Sequence, residues 1–143
     1  PEEELQQQME EQPENVSLAG RRFLLAEDNG LNAEIAMTIL QDAEAEVELA
    51  ADGKIAVDML KDAPVGYYDT VLMDIQMPNM NGYQATGVIR KLPDERAKIP
   101  IIAMTANAFE EDRQAALAAG MDDYVAKPVE ISELFRTIMK NLK

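Results

Sequence analysis

Hydrophobic positions along this chain alternate between short unbroken runs and longer stretches with helical spacing. Phe23-Leu24-Leu25-Ala26 is a continuous apolar run, predicted as a buried strand, and Glu27-Asp28-Asn29 ends it. Between Asn32 and Leu40 the apolar residues Ile35, Ala36, Ile39 and Leu40 fall on one helical face. Val47, Leu49 and Ala51 alternate with Glu48 and Ala50 as a second strand, which Asp52-Gly53 ends. Ile55, Ala56, Met59 and Leu60 predict a second helix, stopped near Pro64 and Gly66. Val71-Leu72-Met73 is a third run, closed by Asp74 and followed by the turn formers Pro78, Asn79, Asn81 and Gly82. Gly82 to Leu92 reads as a third helix, weakened by Gly87 and ended by Pro93. Pro100 to Met104 is a fourth strand ending at Thr105, and Phe109 to Ala119 an alanine-rich helix with Gly120 just past its end. Tyr124-Val125-Ala126 is a fifth strand ending at Lys127-Pro128, and Ser132 is expected to cap a last helix through Leu134, Phe135, Ile138 and Met139. Strands and helices in strict alternation predict an α/β fold, a (βα)5 parallel sheet with helices on both faces.

Composition narrows the setting. Residues 1–20 hold six Glu and no Lys or Arg, with Leu5, Met9, Val16 and Leu18 as sparse apolar anchors. This tail is expected to be a disordered acidic linker, because it cannot bury enough surface to fold alone; a short helix using Leu5 and Met9 is the alternative. Residues 21–143 then form a single domain, with no internal repeat. The formal net charge is −14, of which the tail supplies six negative charges. An acidic surface opposes phosphate-backbone binding, so no direct nucleic-acid contact is expected. The chain has no Cys and no His. That excludes a disulfide scaffold, a His base or metal ligand, and a phosphohistidine of its own, and it suits a cytoplasmic setting. No apolar run approaches the roughly 20 residues of a membrane helix, so no membrane contact by this domain is expected. The first residue is Pro rather than Met, and the chain is expected to be an excised piece.

Candidate chemistry sits at the strand ends. Parallel strands bring their carboxyl ends to one edge of the sheet, so Glu27, Asp28, Asp74, Thr105 and Lys127 can converge. Two carboxylates about 4 Å apart repel by roughly 4 kcal/mol at an effective dielectric near 20. Lys127 relieves part of that, and a hard divalent cation, best Mg²⁺, relieves the rest. Asp74 is then an oxygen nucleophile for a phosphoryl group, with Lys127, Thr105 and the cation meeting the transferred oxygens. Each residue also has a plainer reading. Asp28 could cap the first helix, Asp74 could serve the turn, Thr105 could cap the fourth helix and Tyr124 could be a core tyrosine. Asp122-Asp123 reads as a solvated turn, and the methionines as core filler. Lys127 could be solvated, although Pro128 after it fits a fixed, cis-compatible peptide. A haloacid-dehalogenase-type phosphatase would need a second acid two residues beyond Asp74, where Gln76 stands, and no nucleotide-binding P-loop motif occurs.

Taken together, Glu27-Asp28-Asn29, Asp74-Ile-Gln-Met-Pro-Asn-Met-Asn-Gly, Thr105-Ala106 and Lys127-Pro128 resemble the receiver domain of two-component response regulators over residues 21–143. The resemblance implies a flavodoxin-like doubly wound sheet of order 2-1-3-4-5 with five helices, and Asp74 as phosphoacceptor. It further implies Glu27, Asp28, Asp74 and the Gln76 main-chain carbonyl as Mg²⁺ ligands, Thr105 and Lys127 as phosphoryl contacts, and Tyr124 as the switch aromatic. Glu27 stands where Asp is also common, and its longer arm would reach the metal through water. Gln76 and Asn107 resemble the positions that tune phosphate lifetime. Residues 105–113 and 119–128 resemble receivers fused to hybrid sensor histidine kinases more than those of transcription factors. The expectation is therefore the C-terminal receiver of a hybrid kinase, whose parent can be membrane-anchored. A partner histidine kinase or histidine phosphotransfer protein would donate the phosphoryl group, with self-phosphorylation and autodephosphorylation the only catalysis. The surface of the fourth helix, fifth strand and fifth helix would then change partners, a phosphorylation-dependent dimer being one outcome. A stand-alone regulator and a phosphorylation-independent interaction module are the alternatives; the latter usually lacks an acid, the Thr or the Lys, and none is missing here.

Overall fold

The structure, a computed structural model, describes residues 17–106 and 110–142. The acidic tail through residue 16, Asn107 and the start of the fourth helix at Phe109 lie outside the described residues. Five strands, β1 (Arg22–Ala26), β2 (Glu46–Ala50), β3 (Thr70–Asp74), β4 (Ile101–Thr105) and β5 (Asp123–Ala126), form one sheet. Its order is β2-β1-β3-β4-β5 and every pairing is parallel, as the family resemblance implied. The helices are α1 (Gly30–Asp42), α2 (Gly53–Asp62), α3 (Gly82–Ile89), α4 (Glu110–Ala118) and α5 (Ile131–Asn141), with a 3-10 turn at Glu95–Lys98.

Parallel strands need crossover connections, and the helices that supply them cover both faces, so the central strands are buried and apolar except at their ends. Every residue of β3 and β4 is buried. Phe23, Leu25, Leu72, Ile102, Met104 and Val125 face α1 and α5. Leu24, Ala26, Val71, Met73, Ile101 and Ala103 face α2, α3 and α4. Among the described methionines, Met73, Met104 and Met121 are core filler, whereas Met139 is half exposed.

Several local expectations change. In β2 the buried residue is Ala50, while Leu49 is 43% exposed. Among the described residues this edge strand pairs only with β1, and Glu48 turns inward because the Tyr67 and Tyr68 hydroxyls each donate to it at 2.7 Å. The third helix stops at Ile89, three residues early. Its tail tightens into i-to-i+3 bonds, Lys91 to Val88 and Leu92 to Ile89, while the Arg90 side chain binds the Gly120, Ala97 and Ile99 carbonyls. Ser132 lies inside α5, whose N-cap is Glu130 with no side-chain capping bond. Asp122 is exposed, as expected, yet its carboxylate also accepts the Ile101 N–H at 2.8 Å and pairs with Arg90 at 2.9 Å, while Asp123 belongs to β5. Leu18, placed in the linker by composition, is 1% exposed, and its N–H donates to the Ala43 carbonyl. Gly120 does close α4. At φ +105° it passes its N–H to Leu117 and the next N–H, from Met121, reaches Ala116, which satisfies the last helical carbonyls.

Candidate phosphoryl and metal site

The carboxyl edge of the sheet gathers the charged residues as the topology demands. Asp74 ends β3, Glu27 and Asp28 follow β1, Thr105 ends β4, and Lys127 follows β5. Thr105 is 8% exposed, and its carbonyl accepts the Lys127 N–H at 2.7 Å, which ties the two strand ends together. Lys127 Nζ lies 2.9 Å from Asp74 Oδ1 and 3.6 Å from Glu27 Oε2. Both acids are 2% exposed, whereas Asp28 is exposed. One carboxylate oxygen from each of Glu27, Asp28 and Asp74 falls within 4.8 Å of the others. The peptide between Lys127 and Pro128 is cis.

Glu27 carries the electrostatic cost. Burial first, and then the nearby Asp74 charge, raise its carboxyl above the ordinary range, while Lys127 and the Asn29 N–H partly restore it. Oε1 accepts from the Asn29 N–H at 3.3 Å and from Asn32 Nδ2 at 3.5 Å, but Oε2 is buried with no hydrogen-bond partner among the described residues. A buried acceptor with no donor, beside two more carboxylates, suits a hard cation with oxygen ligands. The residues present therefore fit Mg²⁺.

The plainer readings divide. Asn29, not Asp28, caps α1, its side chain accepting the Asn32 N–H at 3.0 Å, so Asp28 is left for the cluster. Asp74 does take a turn bond, from the Gln76 N–H to Oδ1 at 3.3 Å, through the same oxygen that meets Lys127. Gln76 and Asp28 both line an open cleft of about 510 Å³ with Ile75, Met77, Asn81 and Tyr83. Tyr124 is set apart. It pairs with Ala103, two positions before Thr105, is half-buried, and has the Arg113 guanidinium 5.7 Å from its ring centroid.

Sequence reasoning missed what holds the loop after β3. A Cβ on Gly82 would fall 2.4 Å from the Asp74 carbonyl oxygen, so the first residue of α3 packs directly on the end of β3. Asn81 and Gln84 form a reciprocal capping box. Asp52 and Asn79 join the loop to α2; their only sequence signal was that each looked like a turn former.

Comparison with known proteins places this arrangement. The profile of the response regulator receiver domain matches residues 23–139. The sensor histidine kinase GacS of Pseudomonas protegens is 36% identical over 132 residues, which cover 91% of this chain and 14% of that kinase. Hybrid signal transduction histidine kinase I of Dictyostelium discoideum is 40% identical over 82% of this chain and 7% of its own length. The receiver domain of the sensor histidine kinase PA1611 from Pseudomonas aeruginosa has magnesium coordinated in its active-site cleft. It superposes with a TM-score of 0.77 at 41% identity, covering 86% of this chain and 98% of that one. The receiver domain of yeast Ssk1, in complex with the histidine phosphotransfer protein Ypd1, gives a TM-score of 0.75 at 29% identity, over 85% of this chain and 88% of that one.

The chain belongs to the response regulator receiver domain family. It is a receiver domain of two-component signal transduction, homologous to the receivers of hybrid sensor histidine kinases, as the motifs had indicated. It spans only a small part of the curated kinases that it matches.

Proposed function

We propose that this receiver accepts a phosphoryl group on Asp74 from a partner phosphohistidine. The observation that supports this best is the buried Asp74 carboxylate held by Lys127 at 2.9 Å within the three-acid cluster. An Asp74 oxygen attacks phosphorus, the P–N bond to the donor imidazole breaks, and its electron pair returns to the ring nitrogen. Lys127 orients Asp74 before transfer and turns to the phosphoryl oxygens afterwards. Thr105 donates its hydroxyl to one of them. Glu27, Asp28, Asp74 and the Gln76 carbonyl would hold Mg²⁺, Glu27 through water. When bound, the ion neutralises charge on the phosphoryl oxygens.

The switch follows from the same parts. New charge on Asp74 draws Thr105 inward, Tyr124 follows, and the α4–β5–α5 surface changes partners or pairs with a second copy. Identity to sensor kinases supports a hybrid kinase as the parent. The Ssk1 receiver's complex supports a histidine phosphotransfer protein as one partner. Among the described residues no helix is long and apolar enough to cross a membrane. Likeness to sensor histidine kinases supports a receiver that meets its donor on the cytoplasmic side.

Calorimetric titration tests the metal assignment. The wild type binds Mg²⁺, and Asp28→Asn weakens it by at least the roughly tenfold that loss of an outer partner costs. Equal affinity in both proteins contradicts the ligand set.

A further inference from the structure

The turn that ends β2 reaches across to the loop that follows the acceptor strand. The Asp52 carboxylate uses its two oxygens on two different elements. Oδ1 accepts the Ile55 N–H at 2.8 Å and caps α2, while Oδ2 accepts Asn79 Nδ2 at 2.7 Å. A helix cap needs only the first of these. Asp52 is 6% exposed, so both bonds are sheltered from water. Asn79 stands at φ +64°, a left-handed conformation that Asn tolerates better than most residues. The carbonyl of the next residue, Met80, accepts the Gly53 N–H at 3.1 Å. A Cβ on Gly53 would fall 2.3 Å from that oxygen, so this approach is possible only with glycine there.

The ends of the loop are fixed elsewhere. The Ile75 N–H reaches the Met104 carbonyl at 3.2 Å, and the Gly82 N–H reaches the Ile75 carbonyl at 2.9 Å. Among the described residues, the bonds that tie the middle of the loop to another element are Asn79 to Asp52 and Met80 to Gly53. Gln76 rides on that loop and shares the cleft with Asp28. Mg²⁺ demands near-ideal octahedral geometry, so a backbone ligand on an unpinned loop binds it poorly.

We propose that Asp52 is a positioning residue of the phosphoryl site. Through Asn79 it fixes the loop that carries Gln76, and so sets the Mg²⁺ affinity of a site it does not touch. This rests on the reading of Asp74, Asp28 and Gln76 given above.

Two substitutions separate this role from capping. Asp52→Ser keeps an oxygen that can cap α2 but cannot span to Asn79. Asn79→Gly keeps the left-handed backbone and removes the amide. The readouts are the Mg²⁺ dissociation constant, hydrogen exchange of the Gly53 amide in the metal-free chain, and the Tm as a check on folding. Each variant is expected to weaken Mg²⁺ about tenfold and to speed Gly53 exchange, with Asp52→Ser changing Tm little. The double variant should be no weaker than either single one, because the two act as a pair. Unchanged Mg²⁺ affinity in both variants, whatever the Tm does, overturns the inference and leaves Asp52 a helix cap. A wild-type chain that takes up no Mg²⁺ contradicts the site reading itself and removes this inference with it.

Discussion

Lys127 is shared between two acids that water barely reaches, and the unequal distances describe its task. It sits against Asp74 and only approaches Glu27, so one Glu27 oxygen stays without a donor. A site built for stability alone would have satisfied that oxygen, because burying an unpaired acceptor costs about 1–3 kcal/mol. Strand-end position made Asp74, Glu27, Asp28, Thr105 and Lys127 legible from the sequence. Asp52 was not, since its partner lies in a loop whose path depends on tertiary packing. Its titration gives a test at this scale. The Ile55 N–H and then the Asn79 amide hold the Asp52 carboxyl below its ordinary range. A depressed carboxyl contributes stability that is present above the unfolded-state pKa and lost as pH falls through the folded one. Asp52→Ala should cost about 1–2 kcal/mol at pH 7 through the lost cap. That gap should narrow as pH drops below about 4. Denaturant unfolding at both pH values measures it, and a gap independent of pH contradicts the assigned bonds.

At the level of elements, two glycines of α3 have opposite roles. Gly82 has the Asp74 carbonyl oxygen of β3 2.4 Å from where a Cβ would sit, whereas nothing lies within 4 Å of one on Gly87. Gly82→Ala must move Asp74 or the helix, and should cost about 1–3 kcal/mol. Gly87→Ala should gain up to about 1 kcal/mol, because alanine orders more cheaply in a helix. Thermal unfolding of both variants checks the signs. The central strands were easy to read, being apolar runs covered on both faces. In β2 the alternation placed Val47 on the core, but Leu49 stays exposed because an edge strand is only partly covered, and the Tyr67 and Tyr68 hydroxyls draw Glu48 inward. The early end of α3 was hidden for a similar reason: Arg90 takes its carbonyl partners from residues 97, 99 and 120.

Across the whole molecule, function depends on topology more than on any single strand. Residues separated by up to a hundred positions meet because parallel strands all finish at one edge, and the sheet order places β3 between β1 and β4. The acidic surface sharpens the same point. A chain of net charge −14 gathers three of its carboxylates in one cluster, which favours a bound cation. The most direct test of the central claim is intact mass after incubation with Mg²⁺ and a small phosphodonor such as acetyl phosphate. The account predicts that the wild-type chain gains the mass of one phosphoryl group, that a chelator abolishes the gain, and that Asp74→Asn gains nothing. A wild type that stays unmodified, or an Asp74→Asn chain that labels equally well, would contradict it.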